Sequence, residues 1–144
     1  MADRDGVDLI LEQWRRERPD LDASPIGIIG RISRLARELE QRLEPVYREH
    51  GLEPGWYDVL ATLRRSGPPY RLRPSEFTGA LMLTSSGTTK RLDRLEQPAL
   101  VGQVRVDDVS DAHLANERRL LATLTAAERR QLADLLRKLR LGLD

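Results

Sequence analysis

Between Arg64 and Glu96 the chain carries Arg64, Arg65, Arg71, Arg73, Lys90, Arg91 and Arg94 against Glu76, Asp93 and Glu96. That window holds a charge of +4 in a chain of net +1, so the remainder sums to −3. A basic sector on a near-neutral protein suits one face that meets a polyanion. Charge alone leaves a second reading open, an arginine-rich solvated surface, since 22 of the 24 basic residues are arginine.

Other chemistries find little to work with. Without cysteine there is no disulfide, thiolate metal site or cysteine nucleophile. His50 and His113 are far apart, each on a polar helical segment, and a zinc site would need both plus carboxylates. Gly27 and Gly30 fall in a helical pattern rather than in a phosphate-binding turn between strand and helix. Ser85 and Ser86 have no base in evident reach. The expectation is no enzyme, no metal and no cofactor.

The length, 144 residues, fits one domain, and 40% hydrophobic residues are enough to bury a core. Six aromatic residues leave the filling to Leu, Ile, Val and Ala. Met1-Ala2-Asp3-Arg4-Asp5 lacks a basic-then-apolar leader, and no apolar run reaches spanning length, so a soluble, cytoplasmic chain with no membrane partner is expected.

Helical periodicity positions the basic sector. Val7, Ile10, Leu11 and Trp14 recur at i, i+3, i+4 and i+7, and Pro19 closes that helix. Ser24-Pro25 reads as an N-cap with proline at the first helical position. From there Ile28, Ile32, Leu35, Leu39, Leu43, Val46 and Tyr47 keep one stripe to His50, with Gly51 as a left-handed cap and Pro45 bending the last turn. Trp56, Val59, Leu60 and Leu63 mark a third helix, opened near Pro54 and stopped by Ser66-Gly67-Pro68-Pro69. Pro74 opens a fourth with Phe77 and Leu81. Thr88 to Gln97, with Leu92 and Leu95 on one face, completes a helix-turn-helix pattern.

Leu100 to Val106 alternates weakly and is β-branched, so it reads as a strand ended by Asp107-Asp108. A helix from about Val109 to Leu124 follows, and Thr125 with Glu128 fits a capping box for the last helix, which aligns Leu132, Leu135, Leu136 and Leu139. The first, second and last helices thus all carry apolar stripes that one small helix-turn-helix unit cannot cover. A homodimer packing both chain ends across a twofold axis is the economical answer, with a closed monomeric bundle as the alternative.

Asp58-Val-Leu-Ala-Thr-Leu-Arg-Arg-Ser-Gly and Leu81-Met-Leu-Thr-Ser-Ser-Gly-Thr-Thr-Lys-Arg-Leu-Asp-Arg-Leu-Glu96 resemble the MarR family of winged helix-turn-helix transcriptional regulators. Ala112-His-Leu-Ala-Asn-Glu-Arg-Arg-Leu-Leu with Leu124-Thr-Ala-Ala-Glu-Arg looks like that family's C-terminal dimerisation helices. The resemblance covers nearly the whole chain and is most specific over Thr84 to Glu96. It implies a mostly α fold: a single domain over 1–144, with dimerisation helices at 1–50 and 109–144 and a winged helix-turn-helix unit at 51–108. It further implies a homodimer on a palindromic double-stranded DNA operator. The recognition helix would offer Ser85, Ser86, Thr88, Thr89, Lys90, Arg91 and Arg94, with Gly87 permitting close approach, and the wing would offer Arg105. Arg94 in a salt bridge within the domain and Thr84 as only a helix cap remain open alternatives. A non-enzymatic helical interaction module that does not bind DNA is the alternative for the whole chain.

The early helix with Trp14 is similar to a subgroup carrying an added N-terminal helix, whose members answer to small anionic metabolites such as urate or tricarboxylates. By position Trp14, Arg64, Arg65 and Arg91 match its ligand site, and Asp58 is a further candidate as the partner of one arginine; Trp14 as a simple packing anchor stays open. Arg65 stands where urate-responsive members have an acidic residue, which favours a more highly charged anion. The implied function is a repressor released by such an effector.

One departure concerns the wing, a β-hairpin with an Arg near its tip. Val106-Asp107-Asp108 runs almost directly into Val109-Ser-Asp-Ala-His113, leaving no return strand and no tip Arg. Either the wing is deleted or a segment is missing from the sequence at this point; the second reading is preferred, and an intact mass of 16.4 kDa would overturn it. A deleted wing would mean weak DNA affinity and no minor-groove contact.

Overall fold

A computed structural model of the protein describes residues 4–52, 55–73, 76, 80–81 and 99–143, with the backbone alone for 99–105. Among these residues there are five helices and no strand: α1 (Gly6–Glu17), α2 (Ser24–Glu49), α3 (Trp56–Arg65), α4 (Ala99–Leu120) and α5 (Ala126–Leu141). The chain divides into two compact units, Met1–Arg42 and Leu43–Asp144, with the boundary inside α2.

In the first unit Asp5 caps α1, accepting from the backbone N–H groups of Val7 and Asp8, while Asp8 reaches back to the N–H of Asp5. This reciprocal box satisfies donors that a helix start otherwise leaves open. Arg31 of α2 donates to both carboxylates, at 2.8 Å to Asp5 and 2.8 Å to Asp8. The hydrogen bonds from Arg31 and the backbone hold Asp5 down at about 2, well below the usual carboxylate value. Below this polar seam the helices close on two glycines. A β-carbon at Gly27 would stand 3.3 Å from Leu11, and one at Gly30 would stand 3.6 Å from buried Val7.

In the second unit α3 packs on α4. Val59, Leu60 and Thr62 are buried from α3, and Val106, Val109, His113 and Asn116 from α4. The α4 positions step by three, four and three, a helical face. Thr62 turns its hydroxyl back onto the Asp58 carbonyl at 2.7 Å, which satisfies it where water has no access. Gly51 takes the left-handed conformation expected of it, φ 70°, and the Leu52 N–H closes onto the Tyr47 carbonyl at 2.8 Å. Thr125 and Glu128 form the expected capping box at the start of α5.

Leu100 to Val106 corrects the reading of the sequence. It is not a strand but the opening of α4, which runs unbroken from Ala99 to Leu120. Seven residues read alone alternate like a strand. In context they run on into Val109, His113 and Asn116, which with Val106 are buried on one helical face and fix the period of the segment. The helix also ends at Leu120, and the residues before Thr125 form turns. Because α4 passes through 106–109 without interruption, that point offers no break for a hairpin. His113 is also not on a polar face: it is buried between Tyr47 and Tyr57, with ring centroids 5.4 Å and 4.7 Å away.

Several apolar faces stay open in the single chain. Ile28, Ile29 and Leu35 of α2 are exposed, as are Leu132, Leu135, Leu136 and Leu139 of α5, a helix with no buried residue.

Candidate nucleic-acid interface

Of the fourth helix expected to carry Phe77 and Leu81, only residues 76, 80 and 81 are described, and the expected recognition helix with Ser85, Ser86, Thr88, Thr89, Lys90, Arg91 and Arg94 lies outside the described residues. Arg105, expected on a wing strand, is on α4 instead. What the structure does describe is the platform leading into that segment, from α3 to Arg73.

The platform is built around two arginines in the last turn of α3, where cations favour the negative end of the helix dipole. Arg64 donates to Asp107 of α4 from Nε at 3.0 Å and from Nη2 at 3.4 Å. Its guanidinium carbon also lies 5.8 Å from the centre of the Tyr70 ring, within reach of a cation–π contact. Arg65 donates from Nη2 to the Ala80 carbonyl. One arginine therefore joins α3 to α4 and the other joins α3 to the chain beyond the loop.

The loop is closed by its own backbone. Gly67 has φ 76° and Tyr70 φ 57°, and the Tyr70 N–H donates to the Gly67 carbonyl at 2.8 Å. A left-handed tyrosine is costly without support, and the Arg64 contact to its ring supplies some. At the far end Glu76 accepts from the Arg73 N–H at 2.6 Å while its own N–H donates to the Arg73 carbonyl at 2.9 Å. Arg71 and Arg73 are exposed, and among the described residues neither guanidinium is in an ion pair.

Of the expected effector residues, the structure places Asp58, Arg64 and Arg65 together on α3. Trp14 belongs to the first unit and is 39% exposed, and Arg91 lies outside the described residues. Asp107, the partner of Arg64, escaped notice because it reads as the end of a strand; the buried spacing around Val106 and Val109 was the available signal. The cluster of Tyr47, Tyr57 and His113 escaped too. Tyr47 hydrogen-bonds His113 Nδ1 at 3.2 Å, His113 Nε2 meets Glu117 at 3.1 Å, and Tyr57 donates to Ser110 at 3.1 Å. Burial pushes the Tyr47 hydroxyl up to about 12, so it stays a neutral hydrogen-bonding group. An open cleft of about 310 Å³ adjoins Arg31 and Arg34 in the first unit, but Asp5 and Glu38 share its lining, which leaves it no single sign of charge. Among the described residues no group of acidic or histidine side chains could hold a metal, and no helix is long and apolar enough to cross a membrane.

The chain is 36% identical over 146 residues, 88% of each protein, to the HTH-type transcriptional regulator PecS of Dickeya dadantii (strain 3937). It belongs to the MarR family of HTH-type regulators. No protein-family model matches it. Members of the MarR family are transcriptional regulators, not enzymes, which agrees with the lack of a catalytic constellation in the sequence. Only 88% of 144 residues, about 127, take part over 146 positions, so roughly 19 positions of the relative have no counterpart here. Between Glu96, where the resemblance to a recognition helix ends, and Ala99, where α4 starts, stand only Gln97 and Pro98.

Proposed function

We propose that this MarR-family chain is a homodimeric repressor that binds a palindromic duplex operator and releases it when a small anion binds. The likeness to a transcriptional regulator along 88% of the chain carries the reading. The basic sector supports the choice of nucleic acid, and the open leucine face of α5 supports the dimer. Ser85, Ser86, Thr88, Thr89, Lys90, Arg91 and Arg94 are the proposed DNA contacts, with Arg105 in a lesser role because it lies on α4. The protein acts in the cytoplasm, where its operator is.

Trp14, Asp58, Arg64, Arg65 and Arg91 are the proposed effector residues, in the manner of the subgroup with an added tryptophan-bearing helix. Arg64 makes the reading concrete: an anion that binds it competes with Asp107, so a ligand with more than one carboxylate is favoured over a singly charged one. Release follows if the anion prefers the state that does not hold DNA.

The test is a gel shift on the duplex upstream of the coding sequence, with and without citrate, using the native chain and the pair Lys90→Ala/Arg91→Ala. The native protein should retard the duplex and lose it in citrate, and the variant should stay dimeric without binding. Unchanged binding by the variant overturns the recognition helix. The absence of duplex binding at any salt overturns the regulator reading and favours a protein-interaction module built on the open α5 face.

A further inference from the structure

We infer that Arg71 and Arg73 form a phosphate anchor that grips duplex DNA independently of its sequence, alongside the recognition segment. The inference rests on the DNA-binding reading above and adds to it a second contact surface on a different part of the chain.

The observation is an uneven division of labour among four arginines. From Val59 to Ser75 there is no acidic residue, and Arg64, Arg65, Arg71 and Arg73 stand in that span. Arg64 is held by Asp107 and lies over Tyr70, and Arg65 is held by the Ala80 carbonyl. Those two fix the shape of the loop. Arg71 and Arg73 play no such part: both are exposed, and neither is ion-paired among the described residues.

Their backbone is nevertheless held. The Gly67–Tyr70 hydrogen bond closes one side, and the reciprocal Arg73–Glu76 bonds close the other. Two residues apart on such a loop, the guanidiniums cost little further backbone entropy when they meet a ligand. Guanidinium is also the side chain best matched to a phosphate oxygen pair. Glu76 meets the Arg73 backbone, but neither guanidinium is ion-paired among the described residues, and two exposed cations of this kind suit a repeated phosphate backbone better than a small anion, which takes an enclosed, largely apolar pocket.

Fluorescence anisotropy of the full chain on the upstream duplex and on a scrambled duplex of equal length, over a range of KCl concentrations, tests this. In Arg71→Ala/Arg73→Ala the slope of log affinity against log salt should flatten by about 1.8, which is two phosphate contacts. Between 50 and 200 mM salt the native affinity would then fall about twelvefold more than that of the variant. Both duplexes should weaken by the same factor, and Arg71→Lys/Arg73→Lys should restore most of the slope. An unchanged slope in the alanine pair overturns the anchor while leaving the regulator reading intact, as does a loss confined to the upstream duplex, which would mean base readout. Failure of the native chain to bind either duplex overturns the DNA-binding reading itself, and the anchor with it.

Discussion

Arg64 and Asp107 are 43 residues apart in sequence and 3.0 Å apart in space, and their contact joins the end of α3 to the first half of α4. Both side chains are about half exposed, so water and salt screen the pair and its share of global stability is small. Its consequence is local order. Released from Asp107, Arg64 has less reason to stay over the Tyr70 ring, and left-handed Tyr70 loses support. Asp107→Ala should leave thermal unfolding nearly unchanged while amide exchange at Tyr70 quickens several-fold. Equal protection of the Tyr70 amide in both proteins would show that the loop holds its shape without the pair.

The packing of α3 on α4 is a different matter, because Val109 is fully buried. Val109→Ala removes two methyl groups from a site with no water access, and the cavity adds to the lost transfer energy. The expected cost is about 2 kcal/mol. Urea unfolding at fixed protein concentration measures it, with an unchanged m-value as the sign that only stability moved. A loss no larger than that of an exposed control such as Leu141→Ala would mean that Val109 is not in the core.

Asp5 links α1 to acid. Its carboxyl ionises at about 2 in the folded chain against an ordinary 3.8, because Arg31 and two backbone N–H groups bind the charged form. A depressed folded value means the contribution is complete above the unfolded value and fades as pH falls through the folded one. Asp5→Asn keeps a good helix cap but removes the charge. The native chain should melt higher than the variant above about pH 5, and the two should draw together as pH falls and converge only below about pH 2. A difference that stays constant down to pH 2 would assign the effect to something other than this ionisation.

Legibility in the sequence followed the length of each pattern and the range of its causes. The caps at Gly51 and Thr125 were readable because a cap is decided within four residues. The stop after Arg65 was readable for the same reason, with Ser66-Gly67-Pro68-Pro69 following it. Leu100 to Val106 was not, since seven residues with three valines satisfy a strand until the buried face beyond them sets a helical period. The expected place for a wing hairpin at 106–109 went with it, since α4 is continuous there. The charges of Arg64 and Arg65 could be counted from sequence, but not their ties to Asp107 and Ala80, which depend on how α3 lies on α4 and on the loop beyond it.

The open face of α5 gives the proposed dimer its most direct test. Leu132, Leu135, Leu136 and Leu139 recur at i, i+3, i+4 and i+7, each more than a third exposed in the single chain. Four leucines in one stripe cost solubility unless a second surface covers them, and a twofold copy presents the same stripe in return. Leu135→Glu/Leu139→Glu places two charges in the middle of that stripe. Neither position is buried in the chain itself, so the fold should persist by circular dichroism while the dimer separates. Sedimentation should give twice 16.4 kDa for the native protein and 16.4 kDa for the variant. A monomer holds one half-site at a time, so operator affinity should fall by more than about tenfold as the avidity of a paired grip is lost. A variant that sediments as a dimer and binds the operator unimpaired would show that α5 lies away from the twofold contact.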